Sequence, residues 1–405
     1  MLLRTGLLIA TLLCHAFRVA AGALSDADID QRIDRVRKAD FVVRFTAADG
    51  NPLANSSVSY RLVQHQFPLG TCLSTEVFRL PENHPDRIKY LDTVAKYFNH
   101  AVHENALKWY AMELERGRFD DETPMAMWRW CRDHNITMRG HCIFWGVPRY
   151  VQPWLKKLPS YELEKAMKSR AKHVLKLFDG KITEFDLNNE MMHRDYYASV
   201  LPLEDGAQYF TWCKEIAPNA TFYVNEHSIL SGAETQRYVQ HIRGLIQAGA
   251  GVGGIGCQGH FVKGMPDNDE LWRKLDTLSQ FNLPIKVTEF DFSTTDEEEH
   301  ARGLRRFYRL CFAHPSVAGI LMWGFWERSH WRPEAALWRN DWSVKPAGEA
   351  YVKLVTEEWI TRGEGVTNDR GELHFRGFCG TYRLESNGRS YLVTLTRESP
   401  KVIAG

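Results

Sequence analysis

Two stretches of this chain share one form. Phe185 to Glu190 reads Phe-Asp-Leu-Asn-Asn-Glu, and Pro284 to Asp291 reads Pro-Ile-Lys-Val-Thr-Glu-Phe-Asp. Each starts apolar and β-prone and then delivers a carboxylate, Glu190 in the first and Glu289 in the second. Paired carboxyls of this kind can cleave a glycosidic bond: one protonates the leaving oxygen while the other attacks or activates water. A gap of about 5–5.5 Å between them would mean retention of configuration and a wider gap inversion. The two lie nearly a hundred residues apart, so only a fold can bring them together. A lone Glu is most often a solvated surface residue, and the surroundings must carry the argument.

Those surroundings repeat a pattern. Short apolar runs end in polar residues and are followed by longer helical stretches. The runs begin at Phe67, Tyr97, Thr137, Glu184, Thr221, Gly254, Pro284 and Gly319. Strands alternating with helices imply βα units and a parallel sheet. Eight units predict a (β/α)₈ TIM barrel over residues 67–355, with chemistry at the C-terminal ends of the strands. An open doubly wound sheet is the competing architecture. No GxGxxG follows a strand, however, and the glycine run from Gly251 to Gly256 leads into one.

Further polar residues collect at the predicted strand ends. Glu104, Asn105 and Lys108 follow the second strand, and His141 and Trp145 end the third. Asn189 precedes Glu190, Asn225 ends the fifth strand, Gln258 and His260 the sixth, and Trp323 the eighth. Amides, imidazoles and an ammonium suit a neutral polyhydroxyl ligand. Trp109, Trp145, Trp323 and Trp331 are candidates to stack on sugar rings.

The flanks and composition set bounds. A chain of 405 residues, 44% hydrophobic and 25% charged, has the make-up of a globular protein. The formal net charge of +1 offers no strong field for nucleic acid or an acidic membrane. Residues 1–23 read as a signal peptide, with Arg4 in the n-region, an h-region from Gly6 to Phe17, and Ala21-Gly-Ala23 before the cut. That segment is too short to span a bilayer, so a secreted, extracellular protein with no membrane contact after cleavage is expected. Residues 24–66 read as a lead-in helix and a hairpin-like β pair around Asp49-Gly-Asn-Pro52. Residues 356–405 read as a small β appendage with a hairpin turn at Asn387-Gly388. Seven cysteines outside the leader show neither a disulfide framework nor a CxxC metal pattern. Asn55, Asn135 and Asn219 begin sequons. Glu190-Met-Met-His193 has Glu-x-x-His spacing, but a second copy is missing, so no metal and no cofactor are expected.

These motifs resemble glycoside hydrolase family 10, whose usual activity is endo-1,4-β-xylanase. Gly140-His-Cys-Ile-Phe-Trp145, Phe185 to Glu190, Gly254-Ile-Gly-Cys-Gln-Gly-His260, Val287-Thr-Glu-Phe-Asp291 and Met322-Trp-Gly324 with Trp331 carry the likeness. By that resemblance Glu190 would be the acid/base and Glu289 the nucleophile of a retaining mechanism. His260 would hydrogen-bond the nucleophile, and Asn189 the sugar 2-hydroxyl. Glu104, Asn105, Lys108, His141, Trp145 and Gln258 would line the glycone subsites. The resemblance implies xylan or xylooligosaccharides as partner, and a monomer is expected. Three positions depart from the family pattern: Gly146 where many members carry His, and Glu226 and Glu327 where Asp is frequent. No separate carbohydrate-binding module is evident, so retention on insoluble polymer should be weak. Two other readings stay open at this level: the same chemistry on another β-1,4-glycan, and a secreted lectin-like binder without turnover.

Overall fold

In a computed structural model describing residues 24–193, 195–201, 206–262 and 264–404, the β-prone runs form a closed barrel. The expected leader, residues 1–23, lies outside the described residues. Barrel strands one to eight are Leu69–Leu73, His100–His103, Thr137–Arg139 continued by Phe144–Trp145, Glu184–Asn189, Thr221–Glu226, Gly254–Cys257, Ile285–Phe292 and Val317–Met322. Each pairs in parallel with the next, and the eighth pairs with the first. The third joins the fourth through Phe144 opposite Asn188 and a parallel bridge from Gly140 to Phe185. A Cβ on Gly140 would sit 2.2 Å from the Phe185 ring, so the barrel closes only over a glycine there.

Helices cover the outside. Ser160–Leu177, between strands three and four, buries Leu163, Met167, Ala171 and Val174, the three-and-four spacing of one helical face. Glu297–Ala313 packs its buried Leu304, Phe307, Tyr308 and Cys311 in the same way. The closing helix Pro346–Lys353 continues as a π turn through Glu358. The seven cysteines among the described residues are all buried and free. None of the described helices is long and apolar enough to cross a membrane.

Charged groups are stacked inside the barrel beneath its mouth. Arg139 donates to Asp186 at 2.6 Å, and His141 Nδ1 lies 2.8 Å from the other Asp186 oxygen, all three side chains being buried. Below them, Lys286 pairs with Glu184, and His100 lies 3.2 Å from the same carboxylate. Buried charges persist only when paired in this way. The Asp186 contact fixes the ring of His141 from below.

The chain ends form a two-sheet unit whose pairing differs from the hairpin-like expectation. Lys38–Phe45 pairs antiparallel with Glu372–Phe378 and parallel with Lys401–Ala404. Ser57–His65 instead lies between Arg362–Val366 and Gly380–Ser386 in a second sheet, which Arg389–Leu395 completes. The loop between the two N-terminal strands spends its bonds elsewhere: Ala47 N donates to Asn51 O at 2.8 Å and Asn55 N to Thr367 O at 3.0 Å. The C-terminal strands offer registers of seven pairs, which a local hairpin does not match. The Asn387-Gly388 turn forms as read, with φ of 51° and 72°, the primed turn that a two-residue hairpin loop needs.

Candidate active site

The strand ends converge on a groove of about 610 Å³. Glu190 and Glu289 both line it, together with Glu104, Asn105, Lys108, His141, Trp145, Asn189, Gln258, His260, Trp323 and Trp331. Glu190 caps the fourth strand with φ of 60°, a left-handed backbone that is uncommon outside glycine. Its N–H donates to Asn225 O at 2.9 Å, and its own carbonyl accepts from His193 N at 3.0 Å. Those two bonds hold the turn that swings the carboxyl into the groove. There Oε2 accepts from Trp145 Nε1 at 3.0 Å and Oε1 from Gln258 Nε2 at 2.9 Å, both neutral donors.

Glu289 has different neighbours. Its Oε1 accepts from Asn225 Nδ2 at 2.8 Å, and its Oε2 lies 3.4 Å from His260 Nε2. The other nitrogen of His260 lies 2.8 Å from Asp291, two residues on along the same strand face. Asp291 also accepts from Trp331 Nε1 at 2.8 Å and Arg332 at 3.0 Å. Burial alone would lift the Glu289 carboxyl, but His141, His260 and Lys108 outweigh it and hold it at about 2. Burial likewise works against the His260 cation, yet Asp291 and Glu289 raise it to about 9. The result is a carboxylate kept ionised by a cation that is itself anchored by a second carboxylate.

The wall beyond carries mixed chemistry. Lys108 Nζ sits 4.7 Å above the Trp145 ring and 5.5 Å from Trp323, and donates to Asn105 at 3.2 Å. Among the described residues Asn105 is the one hydrogen-bond acceptor on this ammonium, which carries three N–H donors. Glu104, packed beside it, is pushed by burial up to about 7 despite the Lys108 charge. Trp331 is 51% exposed, bonded through Nε1 to Asp291 and stacked on one face by Arg332, 4.0 Å from the ring centroid, so the face away from Arg332 is the one that can meet an apolar ring surface.

Two expectations need correction. Asn225 is not on the groove wall: it is buried, giving Nδ2 to both Glu289 and Asn189 and accepting from Thr288 Oγ1 at 2.7 Å. Gly256 makes the room, since a Cβ there would stand 2.4 Å from Asn225 Oδ1. Trp109 is no sugar platform either. It is buried against Trp154 and Tyr197, with Nε1 donating to Glu113 at 2.7 Å. His193, the other end of the Glu-x-x-His spacing, pairs with Glu226 at 2.8 Å.

Other lining residues carried no signal in the sequence. Tyr110 sits in the one-turn helix Trp109–Met112, Arg149 and Tyr150 in the short 3-10 turn Pro148–Tyr150, and His227 just after a strand, all segments too short for a periodicity to single them out. Tyr150 stacks on Trp145 with ring centroids 4.1 Å apart and extends that wall. Asp291 was within reach of sequence reasoning, because its two-residue offset from Glu289 puts both on one strand face.

The departures from the family pattern have local causes. A Cβ on Gly146 would lie 1.9 Å from Asp195 Oδ1, so Asp195, which accepts from Asn188 at 2.7 Å, occupies that space instead. Buried Glu226 accepts from Met192 N at 2.7 Å and braces the turn that follows Glu190. Glu327 pairs with Lys345 at 2.7 Å, away from the carboxylate pair.

Two carboxyls at the C-terminal mouth of a (β/α)₈ barrel, flanked by amides and indoles, are the groups that glycoside cleavage requires. A model of glycosyl hydrolase family 10 matches residues 60–354, and the chain belongs to that family. Among curated relatives, endo-1,4-beta-xylanase 2 of Arabidopsis thaliana is 35% identical over 87% of this chain and 32% of its own length. The anti-sigma-I factor RsgI6 of Acetivibrio thermocellus is 36% identical over 88% of this chain and 46% of its own. The chain thus spans about a third to a half of these relatives. Xylanase 10B from Thermotoga petrophila, solved in complex with xylobiose, superposes with a TM-score of 0.66 over 72% of this chain and 95% of that one, at 23% identity. That likeness is one of fold.

Proposed function

We propose that this protein is a secreted, retaining endo-1,4-β-xylanase with Glu289 as nucleophile and Glu190 as acid/base. The observation that carries the roles is the asymmetry of the pair. Glu289 faces the His260 cation and is held at about 2, whereas the side chains that donate to the Glu190 carboxyl among the described residues, Trp145, Gln258 and Asn189, are all neutral. In the first step a Glu289 oxygen bonds to the anomeric carbon, and the glycosidic C–O bond breaks as Glu190 hands its proton to the leaving oxygen. In the second step Glu190 takes a proton from water, whose oxygen displaces Glu289 from the same carbon. The Asn225 bonds link the two halves, since one amide nitrogen serves both Glu289 and Asn189. The Trp145–Tyr150 stack and the exposed Trp331 face support sugar-ring contacts along the groove. Secretion rests on the leader-like pattern of residues 1–23.

A relative named as an anti-sigma-I factor rather than as a hydrolase favours a second reading, a binder that kept the groove without turnover. Single Glu190→Ala and Glu289→Ala variants separate the two. Turnover on xylan by the wild type, abolished in both variants with xylooligosaccharide binding kept, supports the hydrolase. Equal binding by all three proteins with no sugar released supports the binder. A panel of xylan, glucan and mannan, with the product anomer followed by NMR, tests polymer and stereochemistry together.

A further inference from the structure

The second sheet of the terminal unit presents an unusual row on its outer face. Across three neighbouring strands Arg362 stands opposite Arg61, and Arg61 opposite Arg383. The row continues to Leu392, opposite Arg383 on the edge strand and 64% exposed. Directly opposed residues of an antiparallel pair have Cβ atoms roughly 4.5–5.5 Å apart, and like charges at that distance destabilise a sheet. All three arginines are exposed, and among the described residues none makes a salt bridge, a side-chain hydrogen bond or a ring contact. The neighbouring row on the same face is Glu364, Ser59 and Glu385, again in register. The inward residues of these strands, Leu62, Tyr382 and Leu384, are buried, so the outer row plays no part in the core. The unit packs at the pole of the barrel opposite the groove: Gln64 and Thr381 share a cavity with Pro68, Asn99 and Thr137 at the starts of barrel strands.

We propose that this face is an anchoring surface for a carboxylate-bearing polysaccharide, separate from the catalytic groove. The arginine row would pair with uronate carboxylates, and Arg favours such planar, two-point recognition. Glu364, Ser59 and Glu385 would accept from or donate to ring hydroxyls, and Leu392 would meet an apolar ring face. The acidic row decides between polyanions: it repels a densely charged nucleic acid or anionic bilayer and tolerates a polymer with few carboxylates and many hydroxyls. A polymer held here leaves the barrel mouth open. The anchor does not depend on turnover, so its failure and failure of the xylanase reading show up in different measurements.

Native electrophoresis of the full chain through gels containing polyuronate, neutral arabinoxylan or sheared DNA tests it. The wild type should be retarded most by polyuronate, with retention fading as salt screens the charges. The Arg61→Gln/Arg362→Gln/Arg383→Gln triple variant should bind polyuronate roughly tenfold more weakly, three exposed pairs being lost. Its rate on neutral xylooligosaccharides should be unchanged, and it should melt no earlier than the wild type because a like-charge row is relieved. Single Arg61→Glu, at the centre of the row, should weaken polyuronate retention further than Arg61→Gln. Equal retention of the wild type and the triple variant overturns the proposal, as does tighter retention of the wild type by DNA than by polyuronate.

Discussion

Replacing His260 with Asn removes the cation beside Glu289 and leaves Asn225 as its remaining close donor. The Glu289 carboxyl is held at about 2 against an ordinary value of 4.5. That gap corresponds to about 3 kcal/mol in favour of the ionised form. His260 supplies part of it, with His141 and Lys108, and burial opposes all three. Without His260 the carboxyl should rise toward its ordinary value, and a buried carboxylate short of a partner should lower kcat by about ten- to a hundredfold. The assay is kcat/KM against pH on an aryl β-xyloside, which reports the free enzyme. A depressed carboxylate contributes stability that is present above its unfolded value and lost as pH falls through its folded one. The wild type should therefore keep its nucleophile ionised well below pH 4.5, lose this share of stability progressively between about 4.5 and 2, and the variant's acid limb should move upward. His260 behaves in the opposite sense: raised to about 9, its contribution is whole below 6.5 and lost as pH climbs through 9. The variant should lack that alkaline loss in urea titrations. An acid limb that stays in place after His260→Asn refutes the argument that this ring holds Glu289 ionised.

Two further outcomes follow from the same geometry. Glu104, raised by burial to about 7, is protonated below that pH, where it can donate as well as accept, and accepts only above it; KM for xylooligosaccharide should shift across pH 7 in the wild type and stay flat in Glu104→Gln. Because its folded value is raised, stability should also decline between about 4.5 and 7 in the wild type, and that decline should vanish in the variant. Arg139→Met strips Asp186 of its buried guanidinium and should cost about 3 kcal/mol in urea unfolding, with His141 losing its fixed orientation.

Much of this molecule can be read from residue order, because strand propensity and the alternation of strands with helices are local properties. The eight runs mark the eight barrel strands, and polar residues at their ends mark the mouth. Glu190 and Glu289 stand out for the same reason, each closing an apolar run. The Asn387-Gly388 turn is equally local, since two left-handed residues are needed and Asn and Gly supply them.

Distance-dependent facts were decided by the tertiary structure alone. Asn225 has the same sequence signature as the groove amides, yet Gly256 on the next strand leaves a space that draws it inward beneath Glu289. Trp109 is as aromatic as Trp331, but Glu113 and Trp154 bury the first while Asp291 holds the second in the open. The N-terminal strands look like a hairpin until partners more than three hundred residues away offer longer registers. The different surroundings of the two carboxylates, a cation for Glu289 and neutral donors for Glu190, belong to the same class. Local pattern determines which elements form and which residues they carry to their ends. Electrostatics, burial and the choice of strand partner depend on through-space separation, which only the closed barrel defines.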